Sequence, residues 1–105
     1  MAYDVEEELE FEWDKGNIYK NWIRHKVTNK ETEEIFFDTG VIISKDPKHS
    51  IVETRYLILG RSKLKKYLSV IFTRRDSKIR IISARPMNRK ERQLYEQKTK
   101  NNTKV

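Results

Sequence analysis

The sequence of 105 residues contains no cysteine, only three glycines and two prolines, and no long apolar run. The absence of cysteine excludes a disulfide framework, a cysteine-ligated zinc ion and a thiol nucleophile, and it fits a cytoplasmic protein. A mean hydropathy of -0.87 predicts neither a membrane span nor a signal peptide. A chain of this length has room for one domain with one modest core.

Motifs of several common enzyme classes are missing as well. The sequence has no glycine-rich phosphate loop and no G-x-S-x-G nucleophile elbow. The only imidazoles are those of His25 and His49. Asp46 and His49 form a weak ligand pattern that no carboxylate cluster supports. We therefore predict that the protein uses no metal ion and no other cofactor.

The charge of the chain is high and unevenly distributed. Lysine and arginine number 23 against 16 acidic residues, which gives a net charge of +7. Residues 1–14 hold seven acids and no base, whereas residues 61–92 hold twelve bases and two acids. A surface built from the basic segment attracts a polyanion such as nucleic acid. The alternative is a lysine-rich face that is merely solvated.

The N-terminal part of the chain is predicted to form one strand and two helices. Residues 9–14 alternate apolar and acidic side chains, which is the period of a strand with one apolar face. Asp14 is then placed to cap a helix. The buried stripe of that helix is predicted to consist of Ile18, Trp22 and Ile23. Thr28 and Glu31 have the spacing of a capping box and open a second helix.

The rest of the chain is predicted to form four strands and a closing helix. Runs rich in β-branched and aromatic residues cover residues 41–43, 55–59, 67–73 and 78–83. The turns between these runs are too short for crossover helices, so neighbouring strands should pair antiparallel. Asn88 and Glu91 repeat the capping pattern before the closing helix.

These elements predict an α+β fold in the order β-αα-ββββ-α. We expect a twisted antiparallel sheet with the helices packed on one face and the other face at least partly open. Residues 1–8 are assigned to an acidic N-terminal tail, residues 9–97 to the working domain and residues 98–105 to a polar C-terminal tail.

Arginines near strand ends are candidate phosphate ligands, because a planar guanidinium matches phosphate oxygens in bidentate fashion. The expected surface consists of Arg61, Thr73, Arg75 and Arg85. Strand alternation places Arg80 and Arg85 on opposite faces unless a bulge changes the register. In an alternative interpretation, Arg55 or Arg80 only pairs with Glu53 or with an acid of the first strand.

A set of motifs in a fixed order carries further information. These motifs are Phe11-Glu-Trp-Asp14, Asn21-x-x-Arg24-His25-x-Val27, Asp46-x-x-His49-Ser50, Glu53-x-Arg55, Gly60-Arg61-Ser62 and Arg80-Ile-Ile-Ser-Ala-Arg85. Over residues 11–96 the chain resembles the BrnT family of toxins. One departure is Lys26, which replaces the glycine that usually follows the histidine, so the backbone of that turn is expected to differ.

The resemblance implies a RelE-like ribonuclease fold and cleavage of cellular RNA that arrests growth. It also implies a BrnA-like antitoxin partner, which neutralises the toxin in a hetero-oligomer, expected to be a heterotetramer, and binds operator DNA. The RNA supplies its own nucleophile, because its 2′-hydroxyl attacks the adjacent phosphorus and leaves a 2′,3′-cyclic phosphate. No serine or cysteine nucleophile is then needed.

For this chemistry we assign candidate roles to individual residues. Arg61 and Arg85 would stabilise the negative charge that develops on the phosphorus. His25 is the first candidate for proton transfer, ahead of His49 and Glu91. The residues expected to hold flanking parts of the RNA are Arg55, Thr73, Arg75 and Arg80.

A second class of function is suggested by the same basic surface and by the scarcity of proton-transfer groups. In this alternative the protein is a non-catalytic subunit that binds nucleic acid or an antitoxin and acts in operon autoregulation. The two classes differ in whether new RNA ends appear.

Overall fold

The fold was analysed in a computed structural model, which describes residues 9–46, 48 and 52–102. Five strands, three helices and a short 3-10 turn follow one another in the predicted order. The elements are β1 (Glu10–Glu12), α1 (Lys20–His25), α2 (Asn29–Glu34), the 3-10 turn (Ile35–Phe37), β2 (Ile42–Lys45), β3 (Arg55–Arg61), β4 (Tyr67–Arg75), β5 (Lys78–Pro86) and α3 (Arg89–Asn102). The predicted N-terminal tail, residues 1–8, lies outside the described residues, and α3 continues past the assigned domain boundary at residue 97.

The five strands form one sheet in the order β1-β5-β4-β3-β2. Strands β2 to β5 pair antiparallel with their neighbours, as the short turns predicted. β1 is the exception, because it runs parallel to β5, with Phe11 beside Ile79. The helices and the other strands provide the long connection that a parallel pair requires. The sheet is therefore mixed, which corrects the expectation of an antiparallel sheet throughout.

The helices lie on both faces of this sheet. One face packs against α1, α2 and the 3-10 turn, and the core there consists of Val27, Ile35, Ile58, Leu68, Val70, Phe72, Ile79, Ile81 and Ala84. α3 contacts the opposite face, where the rings of Tyr67 and Tyr95 are 5.7 Å apart and Ser69 donates a hydrogen bond to Glu91. The prediction that the helices share one face is thus correct for α1 and α2, and α3 departs from it.

α1 packs through polar side chains, and its predicted apolar stripe is exposed. Ile18, Trp22 and Ile23 have exposed fractions of 38%, 49% and 71%, whereas Asn21 is buried. The Oδ1 atom of Asn21 accepts a hydrogen bond of 3.0 Å from the N–H of Ala84 in β5. α1 thus packs on the backbone of β5 through Asn21, and not through the apolar stripe that the periodicity of the sequence predicted.

The start of α1 also differs from the prediction. Asp14 accepts a hydrogen bond from the Asn17 N–H within the preceding turn, and Tyr19 at the helix start provides no side-chain cap. Both predicted capping boxes are confirmed. Thr28 and Glu31 exchange side-chain and backbone hydrogen bonds at the start of α2, and Asn88 and Glu91 do so at the start of α3.

The turn after α1 keeps a left-handed conformation. Lys26, at the C-terminal end of α1, has φ 56° and ψ 36°, which is the region where glycine is most comfortable. The lysine therefore adopts the type of conformation that a glycine favours. None of the helices within the described ranges is long and apolar enough to span a bilayer.

Gly60 in β3 offers a test of how tightly the 3-10 turn packs on the sheet. A Cβ atom at this position would lie 3.0 Å from the Cβ of Ile35 and 3.1 Å from its carbonyl oxygen. We expect Gly60→Ala to lower the free energy of unfolding by about 1–3 kcal/mol through overpacking, measured by urea denaturation. Gly16→Ala is the control, because its Cβ would meet only an ordinary contact at 3.5 Å. Equal stability of the two variants would contradict this account.

Candidate nucleic-acid interface

A bulge in β5 brings two arginines of that strand onto one face. The pairing of β4 with β5 changes register between Ile71 and Phe72, where β5 carries Ile82 as an extra residue. Arg80 then lies opposite Thr73, and Arg85 lies opposite Ser69. Those two β4 residues are four positions apart, so their side chains and those of the paired arginines share a face. Simple alternation along β5 placed the two arginines on opposite faces.

Three of the predicted RNA-binding residues lie side by side across the sheet. Arg55 of β3 is paired with Thr73 of β4, and Thr73 is paired with Arg80 of β5. Thr73 is buried, and its hydroxyl donates a hydrogen bond of 2.8 Å to the carbonyl of Thr54. Thr73 therefore has a structural position within the sheet. The charge comes from the arginines on either side of it, Arg55 and Arg80.

Acidic residues pair with two arginines of this face, Arg80 and Arg75. Arg80 Nη2 lies 2.9 Å from Asp14 Oδ2, and the hydrogen bond from Arg80 lowers the pKa of the Asp14 carboxyl. Arg75 Nε lies 3.8 Å from Glu53 Oε2. Arg80 thus forms the ion pair that the alternative interpretation predicted, with an acid of residues 9–14. This end of the basic face is partly neutralised.

The middle of this face is an open cleft, which we name the arginine cleft. Its volume is about 430 Å³, and it is lined by Lys45, Asp46, Arg55, Leu57, Ile71, Ile82, Ser83, Arg85 and Glu91. A second cavity adjoins it, sharing Arg55 and Ile82, and is lined also by Arg75 and Arg80. One face therefore carries Arg85 and the three arginines that were predicted to hold flanking RNA.

Glu91 fixes the guanidinium of Arg85 at the edge of the arginine cleft. The distances are 2.8 Å from Arg85 Nη1 to Glu91 Oε1 and 2.9 Å from Nη2 to Oε2. The same carboxylate accepts hydrogen bonds from the Ser69 hydroxyl and the Asn88 N–H. Burial alone would raise the pKa of Glu91, but the hydrogen bonds from Arg85 and Asn88 outweigh it and lower that pKa. Glu91 is therefore a charged anchor for Arg85.

Arg61 lies on the same sheet face but lines a different cavity, together with Asp38, Lys63 and Tyr95. Its guanidinium carbon is 5.0 Å from the centre of the Tyr67 ring. The backbone N–H of Arg61 donates to Asp38 Oδ2, which also accepts a 2.6 Å hydrogen bond from the Tyr95 hydroxyl. The structure thus does not bring Arg61 and Arg85 into one cavity.

His25 lines a third cavity, near Lys65, Lys66 and Arg92. The three predicted catalytic residues therefore line three separate cavities. His49, the second candidate for proton transfer, lies outside the described residues. Within the described ranges, no three histidine or carboxylate side chains are grouped closely enough to hold a metal ion.

Sequence reasoning missed two features of this face. Lys45 and the anchoring role of Glu91 were not predicted, although the capping pattern had already placed Glu91 at the start of a helix. A separate cavity that contains His25 and several lysines was also not predicted, because its residues come from α1 and the turn after it, the turn before β4, β4 itself, the end of β5 and α3. No local motif joins them.

Fold and charge together define a small α+β domain with an arginine-lined sheet face. The family model described as the ribonuclease toxin BrnT of type II toxin-antitoxin systems matches residues 13–91. Among solved structures, the crystal structure of the Brucella abortus ribonuclease toxin BrnT is similar, with a TM-score of 0.60 and 18% sequence identity. That match covers 77% of this chain and 99% of the Brucella chain. No curated protein sequence matched significantly.

This chain belongs to the BrnT family of ribonuclease toxins, because the family model covers well over half of its length. The resemblance inferred from the motifs is confirmed. The similarity to the Brucella structure supports the fold, and the RelE-like label stays a prediction. Membership implies an RNA substrate and an antitoxin partner.

The Arg85–Glu91 pair predicts an acid-dependent loss of stability. Because the pKa of Glu91 is lowered from 4.5 in the folded state, its contribution is complete above that value and is lost as the pH falls through the folded pKa. We expect Glu91→Gln to cost about 1 kcal/mol at neutral pH. The difference from the parent should shrink as the pH falls below 4.5, in urea titrations over a pH series. A difference that stays constant would contradict the assignment.

Proposed function

We propose that this protein is a metal-independent endoribonuclease that cuts RNA in the arginine cleft and thereby inhibits growth. The observation that carries the proposal is the placement of Arg55 and Arg85 in one open cleft, with Arg85 fixed by Glu91. A phosphodiester in this cleft meets guanidinium groups from two different strands. The 2′-hydroxyl of the RNA attacks the adjacent phosphorus, and the 5′-oxygen of the next nucleotide leaves.

The geometry of Arg85 supports a role in stabilising the transition state. A guanidinium has five N–H donors, and the hydrogen bonds described for Arg85 are two to Glu91 and one to the carbonyl of Pro86. Donors on Nε and Nη2 remain for a phosphate oxygen. Because the guanidinium is already oriented, little reorganisation is needed when charge develops on the phosphorus.

The cleft is lined by three cationic side chains, Lys45, Arg55 and Arg85, and by the carboxylates of Asp46 and Glu91, and Glu91 offsets part of the charge of Arg85. Glu91 is therefore a positioning residue in this proposal. His25 and Arg61 line other cavities. We accordingly assign to them contacts with RNA away from the scissile phosphate.

Removal of the cleft arginines tests the catalytic proposal. We expect Arg85→Ala and Arg55→Ala each to lower the rate of RNA cleavage by about 100-fold to 1000-fold, as is typical when one preorganised donor is removed. The assay measures new RNA ends in the presence of EDTA, and the parent protein should remain active there. Arg74→Ala is the matched control, because Arg74 is exposed and lines none of the cavities described above.

Two results would overturn the proposal. Loss of all parental activity in EDTA would contradict metal independence. Salt-sensitive RNA binding without new ends would favour the alternative of a non-catalytic subunit. Circular dichroism of each variant separates the removal of a side chain from the loss of the fold.

We further propose that a BrnA-like antitoxin neutralises the protein in a heterotetramer that binds operator DNA through the antitoxin. The exposed apolar side chains around α1 favour a protein contact there, because such clusters are enriched in interfaces. Tyr19, Trp22 and Ile23 are 70%, 49% and 71% exposed. Their positions on consecutive turns form one patch.

Polar substitution of this patch tests the antitoxin contact. The double variant Trp22→Ser, Ile23→Ser should still cleave RNA but should escape neutralisation by a BrnA-like antitoxin. The measurement is growth during co-expression, with co-purification as a second readout. Leu94→Ser is the control, since Leu94 is a similarly exposed residue on α3. Full neutralisation of the double variant would place the contact elsewhere.

A further inference from the structure

A second concave surface, which we name the lysine pocket, lies apart from the arginine cleft. Its volume is about 400 Å³, and it is lined by His25, Lys26, Val27, Lys65, Lys66, Tyr67, Leu68, Pro86, Met87 and Arg92. Four of these residues are lysine or arginine, and none carries a carboxylate. Such a cavity attracts an anionic ligand.

Two of the four cations of the lysine pocket, Arg92 and Lys66, are held in position by neighbouring groups. Arg92 lies over the Tyr67 ring, with 4.1 Å from its guanidinium carbon to the ring centre. Lys66 Nζ pairs with Glu31 at 2.9 Å and donates to the carbonyl of Lys26. Glu31 does not line the pocket. The arrangement is therefore built before a ligand arrives.

The backbone supplies a second, independent observation. Three non-glycine residues of the described chain have positive φ, and two of them, Lys26 at 56° and Lys65 at 73°, line this pocket. A lysine in the left-handed region is less favourable than glycine or asparagine. Backbone conformations of this kind concentrate at functional sites. Both residues line the same cavity, and the ammonium of Lys26 lies 5.1 Å from the centre of the Trp22 ring.

We infer that the lysine pocket binds a nucleotide of the RNA substrate that flanks the scissile phosphate, an inference that rests on the proposed RNA-cleaving function. The cations suit the phosphate groups, and the apolar surface of Pro86 and Met87 suits a base. Although the pocket is separate from the arginine cleft, two of its lining residues, Pro86 and Arg92, are next in sequence to Arg85 and Glu91, so the two sites are close to each other. One strand of RNA can therefore contact both sites. His25 becomes a substrate-binding residue.

A triple variant that removes three charges tests this inference: Lys26→Asn, Lys65→Asn, Arg92→Gln. Asparagine tolerates the left-handed conformation, so the turns should keep their shape. We expect the affinity for a 2′-O-methyl RNA, which cannot be cleaved, to fall about tenfold at low salt. The slope of log affinity against log salt should fall by about one for each phosphate that the variant no longer neutralises. With cleavable RNA, KM should rise while kcat stays close to that of the parent.

The control variant removes three charges elsewhere: Lys15→Gln, Lys30→Gln, Arg74→Gln. These residues are exposed and line none of the cavities described above, so affinity should change little. If the two triple variants bind RNA equally well, the inference is overturned, and cleavage by the parent would still support the proposed function. If the pocket variant binds RNA normally but no longer binds the antitoxin, the pocket is a protein interface and the inference is also overturned. Loss of RNA binding by the pocket variant, with no cleavage by the parent, would support the pocket and overturn the proposed cleavage.

Discussion

Polar contacts between the segment around α1 and the backbone of β5 determine the geometry of the basic face. β1 pairs with β5 only as far as Arg80, so the following part of that edge has no neighbouring strand. Here Asn17 donates a hydrogen bond to the carbonyl of Ile81, and Lys20 donates one to the carbonyl of Ile82. The side chain of Asn21 accepts a hydrogen bond from the N–H of Ala84. These bonds satisfy backbone groups at the bulge, which would otherwise be costly to bury. The bulge in turn places Arg85 on the same face as Arg80.

Glu91 connects this face to α3. Its carboxylate belongs to the capping box of the helix and also holds Arg85, while Ser69 donates to it from β4. The helix start, two strands and the guanidinium of Arg85 therefore share one half-buried anion. Asp38 has a comparable role at the C-terminal end of β3. Its carboxylate accepts hydrogen bonds from the backbone N–H of Arg61 and from the Tyr95 hydroxyl. Burial and the hydrogen bond to Asp38 raise the pKa of Tyr95. Its hydroxyl therefore stays protonated and acts as the donor to Asp38.

Local patterns in the sequence predicted the element order, the antiparallel meander and both capping boxes, because each depends on residues close together in the chain. The bulge was not predictable, since Ile82 continues the apolar run and no residue marks the register change. The exposure of Trp22 was missed for a related reason, because α1 packs through Asn21 rather than through its apolar stripe. Of the candidate site residues, Arg55, Arg75, Arg80 and Arg85 share a face, and their role as phosphate ligands stays a prediction. The separate positions of Arg61 and His25 follow from tertiary packing, which no short motif encodes.

The parallel pairing of β1 with β5 also constrains the order of events during synthesis. The first strand must wait for the last one, because Phe11 and Ile79 are neighbours in space but are separated by most of the domain. Contacts of such long range form late and slowly. The ion pair between Asp14 and Arg80 and the Glu91 anchor likewise need the C-terminal third of the polypeptide. A partly translated chain on the ribosome therefore lacks the assembled basic face, which matures only as translation of the domain ends.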